Sequence, residues 1–406
     1  EFRRVLFRSA IGHHIYESRW LRNPEYLNQI IHTWYRGNEG GPMAKMTKFS
    51  SWNADAVLGR YMVDGNKEFL LDMVKDLEAE YARWEKTNRL SNGLYWQGDV
   101  QDGMEESISG GRRKQYARPT INSYMYGNAK ALSLIGIMTG DEGMAMKYGL
   151  KADSIKTLVQ DKLWNTDHHF FETMRGDASA EVREAIGYIP WYFNLPDASS
   201  QYDVAWKEVM DEKGFSAPYG LTTAERRHPE FRTHGVGKCE WDGAIWPFAS
   251  AQTLTAMANF MNNYPQTVLT DSVYFHQMER YVESQHHRGR PYIGEYLDEV
   301  TGYWLKGDQE RSRYYNHSTF NDLMITGLIG LRPRMDNTVE VNPLIPEGKW
   351  DYFCLDNVLY HGRNLTILWD KDGSRYQRGK GLHIYVDGKE VGHADTLTRV
   401  LCENVL

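Results

Sequence analysis

A chain of 406 residues with 41% hydrophobic content is long enough to bury a core and to hold one large domain and a small one. Its formal net charge of −7 comes without a basic stripe, which argues against nucleic acid as a partner, and with no long unbroken apolar run no membrane span is expected. Three cysteines, Cys239, Cys354 and Cys402, are odd in number and widely spaced, so they give neither a disulfide framework nor a zinc site.

Residues 1–9 (EFRRVLFRS) read like the translation of a sequencing-library adapter and are set aside from fold reasoning, so the protein is expected to be truncated at its N-terminus. The compartment stays open; a bacterial periplasmic or extracellular setting is compatible with it. Apolar residues at helical spacing predict helices over Tyr16–Tyr35, Phe49–Tyr61, Glu68–Trp84, Ile121–Met138, Met144–Leu163, Tyr202–Met210, Ile245–Met261 and Val268–Glu283. Connectors such as Asp64-Gly-Asn66, Ser91-Asn-Gly93 and Thr139-Gly-Asp141 separate them, and no alternating strands are expected between them. After Gly330, Leu331-Arg-Pro-Arg334 stops the helices, and short strands follow at Thr338–Val341, Tyr352–Leu355, Leu365–Trp369 and Leu382–Val386, with Asp-Gly turns at 372–373 and 387–388. The division predicted is therefore a helical domain over 10–330 and a small β-rich domain over 331–406, and the fold class is mainly α, a toroid of paired helices.

A helical toroid gathers its loops around one cleft, so the chemistry is sought in the connectors. Thirteen Trp and 26 Tyr, many beside polar residues, suit stacking against sugar rings, although core packing uses the same residues. Four stretches stand out. Asp99-Val-Gln-Asp-Gly-Met-Glu-Glu106 is crowded with carboxylates and leads to Arg118 and Asn122. Trp241, Asp242 and Trp246 cluster at a helix start. A second acidic loop runs from Gly294 to Gly302, and Tyr314-Tyr-Asn-His-Ser-Thr319 precedes the last apolar helix. Two acidic loops, each beside aromatics, suggest the paired carboxylates of glycoside hydrolysis, one loop supplying each.

Gly103-Met-Glu-Glu-Ser107 followed by Arg118-Pro119 and Asn122, then Trp241-Asp-Gly243 with Trp246-Pro247, then Glu295-Tyr-Leu-Asp-Glu-Val-Thr-Gly302, resembles the inverting (α/α)6-barrel glycosidases. These six-hairpin enzymes include trehalases, glycoside hydrolase family 63 and the mannosylglycerate hydrolase-like group, and the last is the nearest in pattern. The resemblance spans almost all of residues 12–390, including Trp350-Asp-Tyr-Phe-Cys354 in the tail. It implies an (α/α)6 toroid, an oligo- or polysaccharide substrate, and inversion with Glu105 as general acid and Glu295 as general base. A full toroid needs twelve helices and about ten are readable here, which fits the expected truncation.

The pattern departs from the family at two points: Glu105 stands where Asp is usual, with Asp102 and Glu106 as rivals, and Trp241-Asp-Gly243 stands where relatives often carry Trp-Arg-Gly. Crowding of like charges is expected to keep Glu105 protonated near neutrality. Arg118 is expected either to contact substrate or to hold the acidic loop closed by a salt bridge. Trp52 and Trp246 are the expected stacking platforms, with barrel packing as the other reading. Asp102, Glu106, Asn122, Trp241, Asp242, Tyr296 and His317 complete the expected substrate contacts. The adjacent pairs His13-His14, His168-His169 and His286-His287 diverge in direction and fit no metal site, so neither metal nor cofactor is expected. Two readings from other classes remain. One is a polysaccharide lyase on a similar toroid using Tyr315 and His317; the other is a non-catalytic carbohydrate-binding scaffold, which leaves the clustered carboxylates unexplained.

Overall fold

The computed structural model describes residues 10–37, 49–233, 239–312, 315 and 318–406; the adapter-like stretch and His317 lie outside the described residues. Two compact units emerge. One comprises Glu1–His13, Met43–Asp55 and Lys75–Ser318, the other His14–Pro42, Ala56–Val74 and Thr319–Leu406.

Eight helices of eight residues or more occur among the described residues: α1 (Ile11–Ser18), α2 (Glu25–Arg36), α3 (Asn53–Asp64), α4 (Lys67–Asn88), α5 (Pro119–Thr139), α6 (Glu142–Lys162), α7 (Pro247–Asn263) and α8 (Asp271–Ser284). The single helix expected over Tyr16–Tyr35 is two, because Pro24 bars its predecessor from helical geometry, and the Asn23 carboxamide instead accepts from the Glu25 N–H at 3.0 Å. The stretch expected as a helix over Tyr202–Met210 is one short turn at Ser200–Asp203 continued as a 3-10 segment. Helical turns at Ala185–Tyr188 and Ile189–Tyr192 have no counterpart in the predicted elements.

The α5–α6 hairpin shows how local chemistry sets this architecture. Gly140 closes α5 with φ 75°, a left-handed cap, and the Asp141 carboxylate caps α6 by accepting from the Met144 N–H at 2.9 Å. A Cβ on Gly136 would lie 2.5 Å from the Ala145 nitrogen, so only glycine lets the two helices approach this closely. Contrary to expectation, two-residue strand pairs do interrupt the helices, at 164–165 with 170–171, 174–175 with 178–179, 216–217 with 220–221 and 286–287 with 290–291. The core of this unit is aromatic: Tyr188 stacks on Trp206 (centroids 4.6 Å), Trp206 on Phe260 (5.3 Å), and Phe170 and Phe215 join them. Each fully buried apolar side chain of this size contributes about 2–3 kcal/mol.

In the second unit the tail forms seven strands: β1 (Leu331–Arg332), β2 (Val339–Val341), β3 (Tyr352–Tyr360), β4 (Arg363–Asp370), β5 (Gly381–Val386), β6 (Lys389–Ala394) and β7 (Val400–Cys402). They make a three-stranded sheet in the order β7-β2-β1 and an antiparallel sheet in the order β3-β4-β5-β6. Asp387 and Gly388, with φ 49° and 80°, turn β5 into β6 as the Asp-Gly signal predicts. The pair at 372–373 sits instead in a longer loop, held by the Asp370 carboxylate accepting from the Gly373 and Tyr376 N–H groups.

Candidate active site

The first acidic loop is wound on itself. Asp102 N–H donates to the Gly98 carbonyl at 2.9 Å and Met104 N–H to the Asp99 carbonyl at 2.9 Å, while Gly103 and Glu106 take φ values of 76° and 69°. A left-handed glutamate is strained, and the surrounding structure must hold it there. Nearby, the loop is anchored by the pair Arg118–Asp102. Arg118 Nε lies 2.8 Å from Asp102 Oδ2 with both side chains fully buried, and the Arg118 Nη atoms donate to Ser109 Oγ at 3.3 Å and Ser107 Oγ at 3.2 Å. Thr120 Oγ1 donates to the same Asp102 oxygen. Arg118 is the residue before the Pro119 that opens α5, so the helix start anchors the loop. Asn122, one turn in, is also committed internally: it accepts from Tyr95 N–H at 2.8 Å and donates to the Tyr95 and Arg118 carbonyls at 2.9 and 2.8 Å.

Asp102 is locked against Arg118, whereas Glu105 is half-buried. Burial pushes its carboxyl above the ordinary value of 4.5; Asp99 and Glu295 push in the same direction, against its own N–H and Arg112. Glu295 lies close enough for its charge to act on Glu105, so the two acidic loops are neighbours despite that repulsion. Asp99 is likewise raised, by burial first, against the Val100 N–H, Arg118 and Arg112. Glu106 points elsewhere, to Arg112 at 3.1 Å and Arg232 at 4.0 Å.

The second loop is a hairpin. Leu297 bridges Trp304, Asp298 N–H donates to the Tyr303 carbonyl at 2.9 Å and Leu305 N–H to the Tyr296 carbonyl at 3.1 Å. The Asp298 carboxylate builds the turn by accepting from the Val300 and Thr301 N–H groups at 3.1 and 2.7 Å, and Gly302 closes it with φ 69°. Glu299 is held by Thr233 Oγ1 at 2.5 Å. Of the loop's three acids, Asp298 builds the turn and Glu299 is tied to Thr233, while Glu295 turns to a different set of partners. Its Oε2 accepts from Ser312 Oγ at 3.2 Å and lies 3.4 Å from Lys306 Nζ, which is also 3.5 Å from Cys239 Sγ. Burial raises the Cys239 thiol, with Glu105 next and Glu295 further down, so this sulfur shares their environment. Lys306 and Ser312 carry no motif of their own, and Cys239 reads in the sequence only as an unpaired cysteine; its place beside the Glu240-Trp-Asp-Gly243 stretch is the available signal.

Residues 245 and 297 exchange two hydrogen bonds of 3.0 Å, which sets Trp246 beside Tyr296. Trp241 stacks on Trp246 (4.4 Å, 20°), Trp246 on Tyr296 (4.6 Å, 14°), and Lys306 Nζ sits 4.8 Å from the Tyr296 centroid. All three rings are buried against one another. Asp242 is paired with Arg232 at 2.5 Å, and its carboxyl is raised by burial against that arginine. Trp52, expected as a platform, has 0% exposure: His13, Tyr124, Tyr192 and Phe248 surround it, and Gly12 lies so close that a Cβ there would sit 2.4 Å from its ring. It occupies a core position. Tyr315 is half-buried beside Ser312, its N–H donating to the Ser312 carbonyl at 3.3 Å. Among the described residues no group of three or more His, Cys, Asp or Glu is placed to hold a metal ion, and no helix is long and apolar enough to cross a membrane.

The chain has counterparts among solved structures. A chain described as a sialidase is 83% identical with a TM-score of 0.97, and the match covers 98% of the present chain, which spans only 37% of that chain's length. The mannosylglycerate hydrolase of family GH63 from Thermus thermophilus, solved in complex with glucose, aligns with a TM-score of 0.59 at 12% identity over 79% of this chain and 91% of its own. The same hydrolase in complex with Tris and D-glycerate gives 0.60 at 12% identity and the same coverage. At that identity the likeness is one of fold: mainly helical, of the six-hairpin (α/α) class. Residues 331–393 match the C-terminal domain of glycosyl hydrolase family 65, which accounts for the β-rich tail. Residues 5–318, more than half of the sequence, match the mannosylglycerate hydrolase MGH1-like glycoside hydrolase domain, and the chain belongs to that glycoside hydrolase family.

Proposed function

We propose that the protein hydrolyses a glycosidic bond of an oligo- or polysaccharide with inversion, Glu105 giving a proton to the leaving oxygen and Glu295 activating water. The observation that carries this reading is the contrast between the surroundings of two neighbouring carboxyls. Glu105 is raised by burial and by two acidic neighbours, as a general acid needs, whereas Glu295 Oε2 lies 3.4 Å from the Lys306 ammonium. An inverting enzyme places such groups roughly 6.5 to 9.5 Å apart to admit a water. Asp102 and Glu106 are poorer acids: the first is locked to Arg118 and the second faces Arg112 and Arg232.

Arg118, Asn122 and Asp102 then act by fixing the acid-bearing loop, and the Trp241–Trp246–Tyr296 stack forms the wall behind Glu295. Asp242 and Arg232 border a cleft lined also by Asp99, Glu106, Ser107 and Arg112, a polar rim suited to hydroxyl-bearing sugars. We assign the catalytic region to 10–330 and a β-rich domain to 331–406, supported by the separate family matches on either side of the junction. The test is turnover of a panel of aryl and natural glycosides by the wild type, Glu105→Gln and Glu295→Gln, following the anomer of the first product by NMR. Inverted product, lost in both variants, is expected; an unsaturated product, or activity surviving both substitutions, overturns the assignment.

A further inference from the structure

We infer that Lys306 is a positioning residue for the Glu295 carboxylate: it offsets the repulsion from Glu105 and fixes which oxygen of Glu295 is offered to water. The inference rests on the reading of Glu295 above and adds to it a residue that no motif marks.

The hairpin dictates the pairing. Partners Leu297 and Trp304, Asp298 and Tyr303, and Tyr296 and Leu305 set a register in which position 295 faces position 306. Directly opposed side chains project to the same face and meet. Here they are a carboxylate and an ammonium, with Nζ 3.4 Å from Oε2 and side-chain exposures of 7% for Glu295 and 1% for Lys306. Burying an ammonium without a partner is prohibitively unfavourable, so a lysine this deep must answer a negative charge. Among the described residues, titratable groups near Glu295 include Lys306 from the other strand, Glu105 from the acidic loop, and the Cys239 thiol from the segment before α7. Of these Lys306 alone is cationic, and it touches both Glu295 and Cys239. Its ammonium head sits over the Tyr296 ring, the end of the three-ring stack, at 4.8 Å from the centroid. Ser312 Oγ adds a second contact to the same Oε2 at 3.2 Å. Among the described residues both contacts fall on Oε2, which leaves Oε1 as the oxygen available to a substrate water.

The test combines two readouts on the full chain. The first is the pH profile of kcat/KM for the wild type, Lys306→Met and Lys306→Arg on a glycoside the wild type turns over. The second, independent of turnover, is the titration of 13C-labelled glutamate carboxyls by NMR, with the Glu295 signal assigned by its loss in Glu295→Gln. Lys306→Met is expected to lower kcat at least tenfold with little change in KM and to move the acidic limb about one unit upward, in step with the Glu295 signal. Lys306→Arg is expected to restore the position of the limb. If Glu295→Gln is inactive while Lys306→Met leaves both the limb and the signal unmoved, the positioning role is overturned and the two-carboxylate mechanism stands. If Glu295→Gln stays active, the mechanism fails, and the NMR titration alone then decides whether Lys306 governs that carboxyl. Should Lys306→Met not fold by near-ultraviolet circular dichroism, Lys306→Gln, also uncharged, takes its place.

Discussion

Asp102→Ala removes one half of a fully buried ion pair and leaves the Arg118 guanidinium with a charge but no carboxylate. Breaking such a pair costs about 3–5 kcal/mol. Two observations place the expected value at the lower end, about 3 kcal/mol: Arg118 keeps the Ser107 and Ser109 hydroxyls as acceptors, and Asp102 Oδ1 is itself buried without a partner, so its removal relieves a desolvation cost. In a urea titration followed by near-ultraviolet circular dichroism, a slope of about 3 kcal/mol/M converts this to a midpoint about 1 M lower. The double variant Asp102→Leu with Arg118→Met removes both charges and should lie within about 1 kcal/mol of the wild type, because an apolar pair needs no compensation. A midpoint for Asp102→Ala within about 0.2 M of the wild type, or a double variant no more stable than the single, would refute the claim that this pair anchors the loop.

Glu105→Gln is expected to lose most activity on natural glycosides yet retain it on substrates whose leaving group needs no proton, such as glycosyl fluorides, and its profile should lack the alkaline limb, since a raised acid loses its proton as pH rises through its folded value. Glu184 is deeply buried and raised above 4.5 by desolvation, so its contribution to stability is fully present below 4.5 and is lost as pH rises through the folded value. Glu184→Gln should therefore gain stability relative to the wild type between acid and neutral pH; urea midpoints that differ by the same amount at every pH would contradict this. A Cβ on Gly243 would meet the Arg232 carbonyl at 2.2 Å, so Gly243→Ala should cost about 2 kcal/mol and loosen the Arg232–Asp242 pair, again read from the urea midpoint.

Helical periodicity made most of the architecture legible, and the errors have specific causes. Tyr16–Tyr35 kept its apolar spacing across Pro24, and only the steric effect of that proline on Asn23 divides it. Ala185–Tyr192 is apolar on every side, so it offers no amphipathic stripe to read, yet it lies at the centre of the aromatic core. The two-residue strand pairs are set by long-range closure and carry no periodic signal. At the site, the acids were visible as clusters, but sorting them required structure. Asp102 and Glu106 pair with arginines, Asp298 builds a turn and Glu299 accepts from Thr233, none of which the spacing shows. Trp52 shows the limit of reading aromatics by their neighbours, because polar residues beside it in sequence say nothing of the rings that enclose it in space.

The hairpin register also limits how this sequence can drift. Glu295 and Lys306 meet because four residues, Glu299 to Gly302, separate the last paired positions, Asp298 and Tyr303. Exchanging Val300, which is exposed, changes little, but inserting or deleting one residue there would send Glu295 and Lys306 to opposite faces of the ribbon. Selection for turnover should thus conserve the length of this turn more strictly than its composition, and gaps, rather than substitutions, should mark descendants in which this centre has fallen silent.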